Sequence, residues 1–395
     1  MAFATIDVTK GITGVTPVAN GGTALSSGFK NGVDPRPDSK PLIINGNMDV
    51  WQRGTGTVTT TGDYVGVDRF KISEDTDGSY STQRYTMSIA ELNTTGFDYA
   101  LQANCTGTDA SIGATQSAEI TQKIEAQNLQ LLQYGTSNAK SITLAFWVKS
   151  SKTGTYCIAI NKKDSTAYNI SHEYTISSAD TWEKKVIHIS PTAGSTSFIT
   201  SSAGAIANDN GEGLYVVFAL AIGSNYHGAN NTWTASSSLS TSNQVNWMDN
   251  TNNNFYLTGV QLEVGEYTSS TIPPFQHESF ADNLRRCQRY YFRTPVLQNQ
   301  VFATGFSSNS TTGRGLFTNY QVMRSAPSMS KSSGTDFAVH QAASSTNTTA
   351  LAFYYITNKT SLWYATVSSG LSEGNGALLI DDSGASAYIE GNAEL

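Results

Sequence analysis

Charge is what this sequence has least of. Only 14% of its 395 residues are Asp, Glu, Lys or Arg, against roughly 25% in an average globular domain. Acidic residues outnumber basic ones, 31 to 24, so the net charge is −7, and no Lys/Arg-rich block occurs. A nucleic-acid backbone needs a basic stripe, so nucleic acid is not an expected partner. Cysteine is scarce as well. Cys105, Cys157 and Cys287 are odd in number and far apart, which argues against a disulfide framework and a zinc site and predicts three buried free thiols. No apolar run approaches the roughly 18 residues that a membrane span requires. The opening MAFATIDVTKG has neither the basic nor the apolar region of a signal peptide.

Catalytic signatures are missing too. There is no GxSxG elbow, no phosphate-binding GxxxxGK[ST] loop, no HExxH and no GxGxxG after a strand. His172, His188, His227, His277 and His340 share no ligand spacing, and His188 reads as a surface or satisfied core residue. Glu119, Glu125, Glu173 and Glu183 are carboxylates such as any chain of this length carries, and only a spatial separation would make a glycosidase pair of them. Asp63 and Asp68 bracket the bend GDYVGVDRF. They are weak candidates for a structural Ca²⁺, which takes clustered oxygens; a solvated turn or a pairing with Arg69 is the competing reading. The expectation is a protein that is not an enzyme and needs no cofactor.

What the sequence does have is Ser, Thr, Asn and Gly, with 19 Tyr against 6 Trp. That mixture suits short strands with exposed hydroxyls and frequent turns. Residues 1–40 are Gly-, Thr-, Ser- and Pro-rich, and their apolar residues are too scattered for a core. They read either as an untethered tail or, preferred here, as an extended arm that orders against a partner. Ile6, Val8, Ile12, Val15 and Val18 would anchor it, with a hinge near Asp34–Pro41.

From Leu42 onward, alternating stretches separated by turn residues predict strands. PLIINGNMDVWQRG opens the series, and AFWVKS and YVVFALAI are apolar enough to lie centrally in sheets. The predicted class is all-β: a jelly-roll-like β-sandwich over 41–277, a connecting helix over 278–292, and a second β-sandwich over 293–395. The one helix expected is HESFADNLRRCQRYYF, with Ser279 as N-cap and Asp282 three residues on. Its stripe of Phe280, Leu284, Cys287 and Tyr291 either packs on its own sandwich or forms a threefold seam between subunits. Trp51, Trp147 and Trp182 fall in strand patterns and are read as core. Tyr226, Trp233 and Trp247 sit in Ser/Asn-rich stretches read as loops, and are the candidate contacts for a glycan or protein, since sugars stack on flat aromatic faces.

Several segments carry a resemblance. LIINGNMDVWQRGT, followed by strands and then by FYLTGVQLEVGEYTSSTIPPFQHESFADNLRRCQRYYF, resembles a module recurrent in tail-fibre and other virion proteins of tailed phages. The shared marks are the GVQLE strand (Gly259–Glu263), a Pro-Phe loop (Pro274–Ser279) and a helix ending in CQRYY (Ala281–Tyr291). Glu278 stands where that family usually has Arg. SITLAFWVKSSKTGTYCIAI is similar to the jelly roll of carbohydrate-binding modules. GITGVTPVANGGTALSS resembles the TGxxPVANGGTG element near the start of many phage fibre proteins, with Ala24 replacing its last Gly.

The resemblance covers the arm and residues 42–292. It implies a virion protein attached to other virion proteins through the arm and assembled as a homotrimer; the composition without an export signal fits a protein made in a host cytoplasm and released by lysis. A fibre that binds host surface glycan through its β-domains is the leading expectation, with avidity from several copies. A capsid decoration, cement or head-fibre protein is the first alternative. A polysaccharide depolymerase is the second, against which the lack of any β-helix-period repeat weighs.

Overall fold

The computed structural model describes residues 41–59, 62–297, 300–382 and 387–395. The expected arm, with Ile6, Val8, Ile12, Val15 and Val18, lies outside the described residues.

The first half is a sandwich. Its strands are β1 (Phe70–Glu74), β2 (Ser79–Thr86), β3 (Tyr99–Gly107), β4 (Ser117–Glu125), β5 (Ile142–Ser150), β6 (Gly154–Lys162), β7 (Tyr168–Ile176), β8 (Glu183–Ile189), β9 (Glu212–Ile222) and β10 (Asn254–Val264). They pair antiparallel in two five-stranded sheets, β1-β4-β9-β6-β7 and β2-β3-β10-β5-β8. Successive side chains of a strand point to opposite faces, so Phe146, Val148, Phe255 and Leu257 meet Ile120, Ile158 and Phe218 in one core between the sheets. The two apolar runs expected at the centre are interior strands, β5 and β9. The jelly-roll-like sandwich is therefore as expected.

The opening segment departs from its strand reading. Residues 42–47 form bends and a turn, although Ile43, Ile44, Met48 and Val50 are all buried. Two residues take left-handed backbone, Asn45 (φ 60°) and Met48 (φ 58°). Asn tolerates that region because its side chain can replace lost backbone partners. The Asn45 amide donates to the Val50 and Asp68 carbonyls (2.9 and 3.1 Å) and accepts from Val50 N (2.9 Å). Gln122 does the same service for Ile44, pairing with both its N–H and its carbonyl.

Two α-helices occur among the described residues, one more than expected. Helix α1 (Ile89–Thr95) follows β2, with a full capping box between Ser88 and Glu91 and a left-handed Gly96 (φ 82°) at its end. Helix α2 (Phe280–Gln288) starts at Ser279 as expected, the Ser279 hydroxyl accepting from Asp282 N at 3.2 Å. The expected stripe is partly rotated. Of its four members Cys287 and Tyr291 are buried as expected and Leu284 is half-buried, but Phe280 stays 59% exposed, and Asn283 and Tyr290 face inward beside Cys287. The reason is polar: Asn283 donates to Asn45 Oδ1 and Asn47 Oδ1 (3.2 and 3.1 Å), an anchor that an apolar count cannot register. Cys287 and Tyr290 pack against Ile44, Val50 and Leu395 of the same chain. All three cysteines are free and buried.

After α2 come β11 (Tyr291–Arg293), β12 (Val301–Asn309), β13 (Thr312–Thr318), β14 (Ser328–Lys331), β15 (Phe337–Gln341), β16 (Ser344–Tyr354), β17 (Thr360–Val367), β18 (Gly376–Asp381) and β19 (Ile389–Asn392). The all-β expectation holds, but this unit closes rather than forming two stacked sheets. Six strands form a barrel in the order β12-β13-β17-β16-β15-β18, flanked by a three-stranded sheet β11-β19-β14. Trp363 fills the barrel beside Gly305, Gly313 and Gly315, whose missing side chains make room for its indole. A Cβ on Gly305 would lie 2.7 Å from the Trp363 ring.

Sandwich and barrel are joined by buried charge. Glu394, just beyond β19, is bound by Arg69 and by Arg53 (3.3 Å) of the sandwich, and these side chains are 4%, 1% and 8% exposed. The Arg69 guanidinium lies over the Tyr290 ring (3.4 Å from its centre) and that of Arg53 over the Tyr291 ring (3.5 Å).

Candidate ligand-binding face

The outer side of the β2-β3-β10-β5-β8 sheet carries the richest array of hydrogen-bonding and aromatic groups. Register sets Gln83, Gln102, Tyr256 and Lys149 side by side across β2, β3, β10 and β5. Gln83 Nε2 donates to Gln102 Oε1 at 2.9 Å. Gln102 Nε2 donates in turn to Asn104 Oδ1 (2.9 Å) and to the Tyr256 hydroxyl (3.1 Å). The row ends at a lysine held among three rings: Lys149 Nζ lies 4.2 Å from Tyr256, 4.7 Å from Tyr85 and 5.2 Å from Trp182.

Glu91 of α1 fixes that end. Its carboxylate accepts from Lys149 (2.6 Å), Trp182 Nε1 (3.0 Å) and the Tyr85 hydroxyl (3.0 Å). Burial works against its ionisation, but hydrogen bonds from Lys149, the Ser88 amide and Trp182 outweigh it and hold its pKa down at about 2. Glu91 therefore stays charged at any ordinary pH, and Lys149 stays where it is. Gln83, Gln102, Asn104 and Tyr85 remain half-exposed. Amides that both donate and accept, set beside aromatic edges on a rigid sheet, suit a ligand with many hydroxyls and apolar C–H faces.

The residues expected to touch a ligand do not lie here. Trp233 and Trp247 are 1% and 0% exposed, which corrects their reading as loop contacts. Their loops fold back, and each indole is the main apolar group its loop can bury. Trp233 Nε1 donates to the Ser190 carbonyl (2.8 Å); Trp247 stands edge-on to Tyr80 (5.8 Å) and donates to the Asn254 carbonyl (3.2 Å). Tyr226 is half-buried against Leu239, beside Cys157, Ala219 and Ile222. Trp51 and Trp182 are buried as expected, while Trp147 is half-buried in the cluster around Phe97 and Tyr256.

The Ca²⁺ reading of Asp63 and Asp68 is also corrected. Asp68 is fully buried and its oxygens are taken by Gln52 N (3.0 Å), the Gln52 side chain and Arg53 (3.7 Å), not Arg69. Burial lifts its pKa to about 6 against the pull of Arg53 and Gln52. Among the described residues, no group of three or more His, Cys, Asp or Glu side chains is placed to hold a metal ion. No helix among them is long and apolar enough to cross a membrane.

Three of the four carboxylates singled out are engaged structurally. Glu125 is bidentate with Arg289 (2.8 Å twice), Glu173 accepts from Thr241 (2.6 Å) and Asn243 (3.0 Å), and Glu183 from Lys185 (2.5 Å). Glu119 differs. Its Oε2 is sealed from solvent with no hydrogen bond, and burial raises its pKa from 4.5 to about 7. A carboxyl protonated more readily when folded contributes most stability below the lower value and loses it as pH rises to the higher one. Between about pH 4 and about pH 8 the native chain should thus lose roughly 3 kcal/mol from this group. Glu119→Gln is expected to remove that loss, seen as a smaller difference between urea-unfolding free energies at the two pH values. An unchanged difference would count against the sealed carboxyl.

The row itself was missed from sequence, though its signals are there. QRY, LQAN, FYL and FWVK place Gln83, Tyr85, Gln102, Asn104, Tyr256, Trp147 and Lys149 on one parity of their strands. The capping box Ser88–Glu91 marked α1. What periodicity could not supply was which strands are neighbours.

A scan against protein-family models finds no match, and no curated protein matches the chain. Among solved structures, a candidate sugar-binding protein of Bacteroides thetaiotaomicron aligns with 57% of this chain and 100% of its own, at 13% identity and a TM-score of 0.32. A family 11 carbohydrate-binding module of Clostridium thermocellum aligns with 55% of this chain and 99% of its own (12% identity, TM-score 0.26). The enzymatically active domain of tailspike protein 4 of bacteriophage CBA120 aligns with 57% (12% identity, TM-score 0.28), and this chain covers 21% of that one.

Proposed function

We propose that this chain is a non-enzymatic glycan-binding protein that recognises sugar through the amide–aromatic row on its β2-β3-β10-β5-β8 sheet. The observation that carries the reading is the register of Gln83, Gln102, Tyr256 and Lys149 across four strands, with Glu91 pinning its charged end. The setting proposed is the virion of a tailed phage, as a trimeric fibre attached through residues 1–40. That part is supported by the GVQLE and CQRYY segments and the PVANGGT element of the sequence.

Binding of the full chain to purified host surface polysaccharide tests both halves of the claim. Gln102→Ala should weaken it about 10-fold, the loss of roughly 1.4 kcal/mol in hydrogen bonding, with the melting temperature unchanged. The polysaccharide should keep its length on prolonged incubation. Full binding by the variant would remove the row from the site, and progressive shortening of the polymer would make the protein a depolymerase.

A further inference from the structure

We propose a second ligand site, distinct from the row, in the cleft between the sandwich and the three-stranded β11-β19-β14 sheet, with a neutral saccharide unit as its ligand. The cleft has a volume of about 380 Å³, within the range of small-molecule pockets. Its floor is built by register: Arg293, Glu390 and Ser330 form one row across the three strands, and Tyr291, Asn392 and Ser328 the next. Arg53 and Tyr64 of the sandwich close the other side.

One unfilled guanidinium identifies what the cleft lacks. The Arg293 guanidinium carbon lies over the Tyr388 ring, 3.5 Å from its centre, and the group makes no hydrogen bond or ion pair among the described residues. Arg53 differs: it is 8% exposed and already held by Asp68 (3.7 Å) and Glu394 (3.3 Å), so the open donor is Arg293. The acceptors of Glu390 are taken, by the Tyr291 hydroxyl (2.5 Å) and Ser330 Oγ (2.6 Å). The Arg293 guanidinium is thus without an oxygen acceptor, which it would bind in a fixed fork.

Charge then selects among acceptor-rich ligands. Against Arg53 and Arg293 stand Glu390 and Asp63 in the cleft; behind Arg53, Arg69 balances Glu394 and Asp68 adds one further negative charge. A free carboxylate or phosphate would enter a site that already carries surplus negative charge. Hydroxyl and ring oxygens fill the Arg293 donors without adding to it, and the hydroxyls of Ser328 and Ser330 and the amide of Asn392 line the same cleft.

Calorimetric titration of the full chain with neutral trisaccharides of gluco, galacto and manno configuration, and with matching uronate trisaccharides, tests this. At least one neutral sugar should bind both the native chain and the Gln102→Ala variant, with an affinity insensitive to salt. Arg293→Gln should weaken that binding about 10-fold or more, and Arg293→Lys, which keeps the charge without the fork, should not restore it. The proposal fails if no neutral sugar binds the Gln102→Ala variant or if Arg293→Gln leaves binding intact. Tighter binding of a uronate, or of a Glu-rich peptide used as control, would overturn the ligand class.

Discussion

Replacing Glu394 by Ala is expected to lower the stability of the folded chain by about 3–5 kcal/mol, the usual cost of leaving a buried ion without its partner. Arg69 is 1% exposed, and after the change it would keep only the Lys123 carbonyl (2.7 Å) and the face of Tyr290. Arg53 would fare better, since Asp68 lies 3.7 Å away. Urea unfolding of the full chain measures the effect. The same experiment reads coupling: where sandwich and barrel unfold together in the native chain, the variant should show the barrel leaving first. A double variant, Arg69→Met with Glu394→Leu, should recover much of the loss, because two apolar groups replace a pair rather than break one. A loss below about 1 kcal/mol in Glu394→Ala would mean that solvent reaches these charges.

Trp363→Ala should be as damaging for the barrel alone, at about 3–5 kcal/mol. The indole is fully buried, its Nε1 donating to the Thr304 carbonyl at 3.1 Å. Three glycines surround it, so nothing nearby can grow into the void. Adding bulk should also fail. A Cβ on Gly305 would meet the Arg314 carbonyl at 2.1 Å, and one on Gly315 the Thr304 carbonyl at 2.2 Å. Gly305→Ala is therefore expected to destabilise the barrel although it enlarges the core. Thermal unfolding followed by circular dichroism separates these outcomes from a mild effect, which would show that β12 and β13 can part to admit the methyl.

Much of the fold was legible because alternation is a local property. β5, β9 and β10 announce themselves by which residues can face a core, and α2 by Ser279 and the residues after it. The barrel was less so. GRGLF alternates like any strand, and only the juxtaposition of its glycines with Trp363 shows that they line a closed interior. The ligand row failed for a related reason. Gln83 and Lys149 are 66 residues apart in the chain, and their alignment depends on β10 inserting between β3 and β5. Trp233 and Trp247 misled because hydrophilic neighbours in sequence say little about which loops fold inward. An indole among serines is often the reason that a loop packs at all.

The Arg69–Glu394 contact has a mechanical consequence. The backbone leaves the sandwich through α2 and β11, passes round the barrel, and returns in β19 to lie beside β11. A force pulling the barrel away from the sandwich would therefore not fall on the covalent link alone. It would load in parallel the β11–β19 ladder, the two guanidinium groups gripping Glu394, and the reciprocal hydrogen bonds between Arg324 and Asn210 of the sandwich (3.0 and 2.6 Å). Elements that share a load must break together, so the junction should resist separation as a rivet does and then yield all at once.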